Sequence, residues 1–249
     1  MRSPFITIMA GLGVWASVLV LAPQASAEQI DLQFVTTTGA TSVTYTYNGN
    51  SASATPGPYY WNASPPPNMG SNPIATFCIE VTQYTLNGTY DVVAPAAAPT
   101  IGDPAKADAI RALYGNYYNL AWNNPATAWS DPSFRPFQLA LWELVYDGLY
   151  NLANPGSDWL GTATFRSGSS AAGAATSMLN NTLANIPAGL SQFNTRLAGY
   201  ELVALVSQSG QDQLWLRPSS VIPAPPAILL AGLGLLVVGG RASWRKCQA

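Results

Sequence analysis

The 249-residue sequence has no histidine, two cysteines and few charges, with 10 Lys and Arg against 12 Asp and Glu. Without histidine there is no Ser-His-Asp or Cys-His activation of a nucleophile and no His-containing zinc site. Two cysteines are too few for a Cys-only zinc site. Charged residues make up only 9% of the chain and show no basic surplus to lay along a phosphate backbone, so nucleic acid is not expected as a partner. No Asp/Asn-rich loop has the spacing of calcium ligands, so no metal is expected, and no other cofactor is implied. Glu80, Glu143 and Asp147 are available carboxylates, but their spacing singles out no acid-base pair for glycoside hydrolysis. A conventional turnover enzyme is therefore not expected. Neither is disorder, since 48% of the residues are hydrophobic.

The two ends carry addresses. Residues 1–27 have a basic start at Arg2, an uncharged apolar stretch from Phe5 to Leu21 and the small triplet Ala25-Ser26-Ala27. These are the parts of a secretory signal, with cleavage expected after Ala27. At the other end, Val221 to Gly240 is uncharged and is followed by Arg241, Arg245 and Lys246. Its apolar part, Ile228 to Gly240, spans a bilayer only marginally, because roughly 20 residues are normally needed. The basic stub would hold that end on the cytoplasmic side. The segment Ile222-Pro223-Ala224-Pro225, followed by the Gly/Leu-rich run and the basic end, resembles the PEP-CTERM class of sorting signals, with Ala224 where that class usually has Glu. The resemblance covers residues 221–249, with Pro223 and Pro225 as the sorting motif. It implies transient membrane anchoring by the C-terminal helix, an exosortase-like processing enzyme, and the surface or extracellular matrix of a Gram-negative bacterium.

Between these ends, residues 28–220 form one exported domain with six basic and twelve acidic residues, a formal charge of −6. Alternation predicts strands over Ile30–Val35 and Ser42–Tyr47, then over Ile74–Val81 and Tyr84–Val93. Ser51–Pro73, rich in Pro, Ser and Asn, reads as a long loop, and its Tyr59, Tyr60 and Trp61 are candidates for stacking on sugar rings or for packing. Asp103-Pro104 and Asp131-Pro132 are helix starts, and a third helix is expected over about Ser170–Ile186. Tyr200–Val206 and Gln213–Leu216 return to strand character. Strands on both sides of a helical segment predict an α+β fold, a β-sandwich or barrel-like sheet with an inserted helical subdomain.

Cys247 falls in the sorting tail, which leaves Cys78 as the single cysteine of the exported domain. A lone exported cysteine is an inert buried thiol, half of an intermolecular disulfide, or part of another covalent bond. It lies in Phe77-Cys78-Ile79-Glu80, where strand periodicity sets Cys78 and Glu80 on one face. Sixty positions on, Gln138 occupies the helical stripe Phe134, Gln138, Leu141, Val145 and is therefore expected in the core. A buried carboxamide must satisfy two N–H donors and an oxygen, at about 1–3 kcal/mol for each left unpaired. Loss of ammonia to the Cys78 thiol would remove those donors.

The strand Phe77-Cys78-Ile79-Glu80, the helix Gln138-Leu139-Ala140-Leu141-Trp142 and the aromatic stretch Leu113–Tyr118 between them resemble the thioester domains of bacterial surface adhesins, over roughly residues 74–146. The resemblance implies a thioester between the Cys78 sulfur and the Gln138 carbonyl. It also implies single-turnover transfer to an amine of a surface protein or a hydroxyl of a polysaccharide. Glu80 is the nearest side chain able to accept a proton in that step, or else a hydrogen-bonding partner for the adjoining loop. The competing expectation is a non-reactive matrix or carbohydrate-binding module in which Cys78 is inert.

Overall fold

The structure, a computed structural model, describes residues 28–38, 42–47, 50–64, 72–146, 165–167 and 171–219. The signal with its Ala27 cleavage site, the tail with Pro223 and Pro225, Asp147 and Cys247 lie outside these residues. No helix among the described residues is long and apolar enough to cross a membrane.

Nine strands are present among the described residues. β1 (Glu28–Thr37), β4 (Pro58–Ser64), β5 (Ile74–Cys78), β6 (Gly88–Val93), β8 (Tyr200–Val206) and β9 (Gln213–Pro218) close into a barrel in the order β1-β4-β5-β9-β8-β6. Every neighbouring pair is antiparallel. β2 (Val43–Tyr47), β3 (Asn50–Ala54) and β7 (Phe165–Ser167) form a separate small sheet in the order β3-β2-β7. The helices α1 (Pro104–Tyr117), α2 (Pro125–Ala128), α3 (Phe134–Tyr146), α4 (Ala172–Ala184) and α5 (Ile186–Arg196) lie between β6 and β8 in sequence. The fold is α+β, a barrel carrying a helical insertion.

The register shows why the helices sit where they do. Ile30, Leu32, Trp61, Tyr90 and Thr76 share one parity, and the Trp61 and Tyr90 rings meet 6.0 Å apart from strands that both flank β1. That parity is the barrel interior. On the outside the barrel has two characters. β1 turns Gln29, Asp31 and Gln33 to solvent, whereas β5, β8 and β9 turn out Phe77, Leu202, Ala204, Leu214 and Leu216, all buried. An apolar outer face of that size needs a cover, and the helical insertion supplies it. Phe77 anchors the cover through ring contacts with Phe137 at 5.0 Å, Trp122 at 5.7 Å and Tyr118 at 6.0 Å.

Several boundaries differ from the sequence expectation for local reasons. Tyr59, Tyr60 and Trp61 are not in a loop but in β4, all three buried, and Pro58 is tolerated as the first residue of that strand. β5 ends at Cys78 because the next pair makes only half of its ladder bonds: Ile79 N donates to Asp212 O at 2.9 Å, but Asp212 N turns to the Glu80 Oε2 at 3.4 Å. β6 begins only at Gly88. Asp103 does cap α1 by accepting from Ala105 N at 2.8 Å, but Asp131 caps a turn, accepting from Ser133 N at 3.0 Å, and α3 starts at Phe134. The expected third helix is α4, and a further helix that was not expected, α5, follows it after Asn185, which caps α5 by accepting from Ala188 N at 3.1 Å.

α1 and α5 approach backbone to backbone at Gly115 and Gly189. A Cβ on Gly115 would collide with Gly189 O and stand 2.5 Å from Phe193 N, and one on Gly189 would stand 2.6 Å from Ala112 Cβ. Gly115→Ala should therefore lower stability by about 1–3 kcal/mol through overpacking, despite alanine's better helix propensity. Urea unfolding reads this as a lower midpoint with an unchanged slope.

Candidate functional site

Cys78 and Gln138 come together. The Gln138 Nε2 donates to the backbone O of Cys78 at 2.7 Å, and both residues are 0% exposed. Two elements make this meeting. Phe134, Gln138, Leu141 and Val145 are all buried as expected, but so is every residue from Pro136 to Val145, so α3 is enclosed on all sides and not along one stripe. The residue immediately before Gln138, Phe137, docks α3 on Phe77, the neighbour of Cys78. The Gln138 carboxamide is thus held at the end of β5, where the ladder stops and the Cys78 carbonyl needs a donor. The Gln138 Oε1 is buried and accepts no hydrogen bond among the described residues.

The Cys78 thiol donates to Glu80 O at 2.9 Å. Burial pushes the thiol up to about 12, with the backbone at Glu80 and the Trp142 side chain acting against the rise and the charges of Glu80 and Asp212 adding to it. At neutral pH such a group is a protonated thiol and not a nucleophilic thiolate. Beneath it runs a buried polar chain. Thr76 Oγ1 accepts from Trp61 Nε1 at 2.8 Å and donates to Gln213 Oε1 at 3.1 Å, and Gln213 stands directly across the ladder from Cys78. Nothing in the sequence pointed to Thr76 or Gln213, because their pairing spans 137 positions and depends on register.

Glu80 does not share a strand face with Cys78, since the strand has ended. Its Oε1 accepts from Thr82 Oγ1 at 2.9 Å and its Oε2 from Asp212 N at 3.4 Å. The carboxylate braces the loop after β5 against the start of β9. The part of Glu80 that touches the sulfur is its backbone carbonyl. The next residue, Val81, is tied on both sides, donating to Tyr146 Oη at 2.7 Å and accepting from Tyr45 Oη at 2.8 Å.

Two pockets flank this loop. One of about 550 Å³ is lined by Glu80, Asp91, Asp212 and neighbours. Burial raises Asp212 above its ordinary value, with hydrogen bonds from Thr100 and Ser207 N opposing and the Glu80 charge adding to the rise. The other, of about 530 Å³, is lined by Tyr45, Tyr59, Tyr84 and neutral polar residues. Thr82 and Gln83 border both. Glu143 is buried on α3 and lines neither. Trp129 is 56% exposed and also lies away from both. Among the described residues no three His, Cys, Asp or Glu side chains converge where a metal could sit.

No protein family matches the chain, and neither does any curated protein. Among solved structures, the N-terminal domain of the Streptococcus pyogenes pilus tip adhesin Cpa superposes with a TM-score of 0.35 at 16% identity, covering 66% of this chain and 84% of that one. So loose a superposition fixes neither the detail of the fold nor its chemistry.

Thr76→Val keeps the shape of the buried chain under Cys78 but strands the Trp61 N–H and the Gln213 carboxamide oxygen. It should cost about 1–3 kcal/mol, seen as a lower urea midpoint. Thr76→Ser, which keeps the hydroxyl, should recover most of the loss.

Proposed function

We propose that this is a surface-sorted bacterial protein whose Cys78 and Gln138 condense to an internal thioester and which then attaches once, covalently, to a partner. The observation that carries the reading is the meeting of a lone exported cysteine with a fully buried glutamine whose amide oxygen has no partner among the described residues. Condensation forms a bond from the Cys78 sulfur to the Gln138 side-chain carbon and breaks the C–N bond. Ammonia departs, taking up the thiol proton. The buried amide oxygen becomes a thioester oxygen, a weaker acceptor that loses less by lacking a partner. One cost remains, because the Cys78 carbonyl gives up the donor it has in the amide form.

Transfer then needs a nucleophile, an amine of a surface protein or a hydroxyl of a polysaccharide. It attacks the Gln138 carbonyl carbon, the C–S bond breaks, and an amide or ester to the partner remains. Because burial holds the thiol pKa near 12, the sulfur leaves best as S–H, and the proton comes from the attacking N–H or O–H. The Glu80 carbonyl, 2.9 Å from the sulfur, accepts that S–H. No side-chain base has to be regenerated, which suits a chain without histidine. The amide or ester formed is a less activated acyl group than the thioester, so the transfer runs one way. Both reacting side chains are enclosed, and the loop Ile79–Thr85 between the two pockets is the segment whose movement would admit a partner. Secretion by the signal, transient anchoring by the C-terminal helix, and processing near Pro223 and Pro225 by an exosortase-like enzyme would place the domain outside a Gram-negative cell.

Intact-mass measurement of the secreted protein decides the central point. The expected mass is one ammonia below that of the processed sequence, and Cys78→Ala should restore full mass and abolish incorporation of small amines such as methylamine. Full sequence mass with Cys78 alkylated after unfolding would overturn the thioester and leave an inert thiol.

A further inference from the structure

We infer that the pocket between the small sheet and the loop after β5 is a binding site for a neutral carbohydrate. It measures about 530 Å³, room for one or two sugar rings. Its lining contains no Asp, Glu, Lys or Arg. A phosphate, carboxylate or ammonium entering it would shed water without meeting an opposite charge, at a large cost. A neutral sugar fits the lining on both counts. Asn50, Gln83 and Gln211 bring carboxamides that both donate and accept, as hydroxyls require. Tyrosine supplies the flat apolar surface for the C–H face of a pyranose ring.

Tyr84 is the second, independent sign. Its side chain is 85% exposed, the most exposed large hydrophobic group among the described residues. It is nevertheless not on a loose segment. The Tyr84 carbonyl accepts from Gln211 N at 3.0 Å, and the neighbouring Thr85 Oγ1 donates to Gln211 Oε1 at 2.8 Å. An aromatic ring presented to water on a pinned backbone at the rim of a pocket has no packing role to account for it. Below it, Tyr45 and Tyr59 form the wall, and opposite Tyr45 in the ladder stands Ala52, whose small side chain leaves the space open.

The pocket also adjoins the Cys78 site. The Tyr45 ring lies 6.2 Å from that of Trp142, whose side chain acts on the Cys78 thiol, and the Tyr45 hydroxyl holds Val81 O. A bound sugar would therefore rest against the loop that covers the proposed thioester. The binding itself does not depend on the bond and holds whether or not the thioester forms.

The test uses the secreted protein and its Cys78→Ala variant, so that covalent capture cannot pass for binding. Each is titrated, by calorimetry and by NMR shift mapping, with neutral oligosaccharides of glucose, galactose, mannose and N-acetylglucosamine. Oligogalacturonate serves as the charged counterpart. At least one neutral series should bind both proteins with equal affinity and little salt dependence, and oligogalacturonate should not bind. Tyr84→Ala, a change at an exposed position, should weaken binding by about tenfold, while Trp129→Ala leaves it unchanged. Failure of all the neutral series to bind, undiminished binding by Tyr84→Ala, or preference for oligogalacturonate would overturn the site. A full-length mass for Cys78 and Gln138 would instead remove the thioester and leave these titrations as they are.

Discussion

The barrel of this domain is apolar on part of its outer surface, and the arrangement of the candidate site follows from covering that part. β1 can face water because Gln29, Asp31 and Gln33 point outward from it. β5, β8 and β9 cannot, with Phe77, Leu202, Leu214 and Leu216 on their outer face. Burying these side chains is the main gain in docking the helices, at about 25 cal/mol per Å² of apolar surface removed from water. The aromatic cluster of Phe77, Tyr114, Tyr118, Trp122 and Phe137 gives that docking one geometry, because edge-to-face rings fit in few ways. With Phe137 seated on Phe77, the adjacent Gln138 lies at the end of β5 and donates to the Cys78 carbonyl. The meeting of the two candidate residues is thus a by-product of core packing across sixty positions of sequence.

The same packing sets the chemistry available there. Enclosure raises the thiol pKa, so a free Cys78 is quiet, and in the proposed reading the reactivity is stored in a bond made once. It also excludes water, the commonest competitor for an acyl group. A buried acyl bond with no histidine nearby would be slow to hydrolyse until the covering loop moves. The loop is held by a carboxylate brace at Glu80 and by hydrogen bonds with Tyr45 on the small sheet and Tyr146 on α3, so its opening is coupled to several elements at once.

Much of this was legible in the sequence where the signal was local. Gln138 is buried as expected, the strand expected over Tyr200–Val206 is β8 residue for residue, and Asp103-Pro104 marks the start of α1. The misses share a cause. β4 was hidden because Pro58 and the polar residues after Trp61 imitate a loop, while its partners β1 and β5, which make it a strand, lie elsewhere in the chain. The end of β5 at Cys78 is decided by Asp212, which lies on the approach to β9, and this moved Glu80 from a strand face to a loop brace. The polar chain of Trp61, Thr76 and Gln213 needs the register of three strands and leaves no trace in any one of them.

The two pockets beside the loop differ in what they would do to an incoming nucleophile. Glu80, Asp91 and Asp212 on one side attract an ammonium group, but the same carboxylates stabilise its charge and raise its pKa, which keeps the nitrogen lone pair protonated and unreactive. Three carboxylates therefore favour capture of an amine over its attack. The tyrosine-lined side exerts the opposite pull. With no ionised side chain in its lining, it disfavours any charged form and leaves a hydroxyl, neutral at every physiological pH, under no electrostatic penalty. An alcohol is the weaker nucleophile in water, so its use requires that it be held in place, and orientation can replace several kcal/mol of barrier. In the proposed transfer to a hydroxyl, holding that group in place is therefore what the reaction would need most, and the neutral pocket is where a sugar would be held.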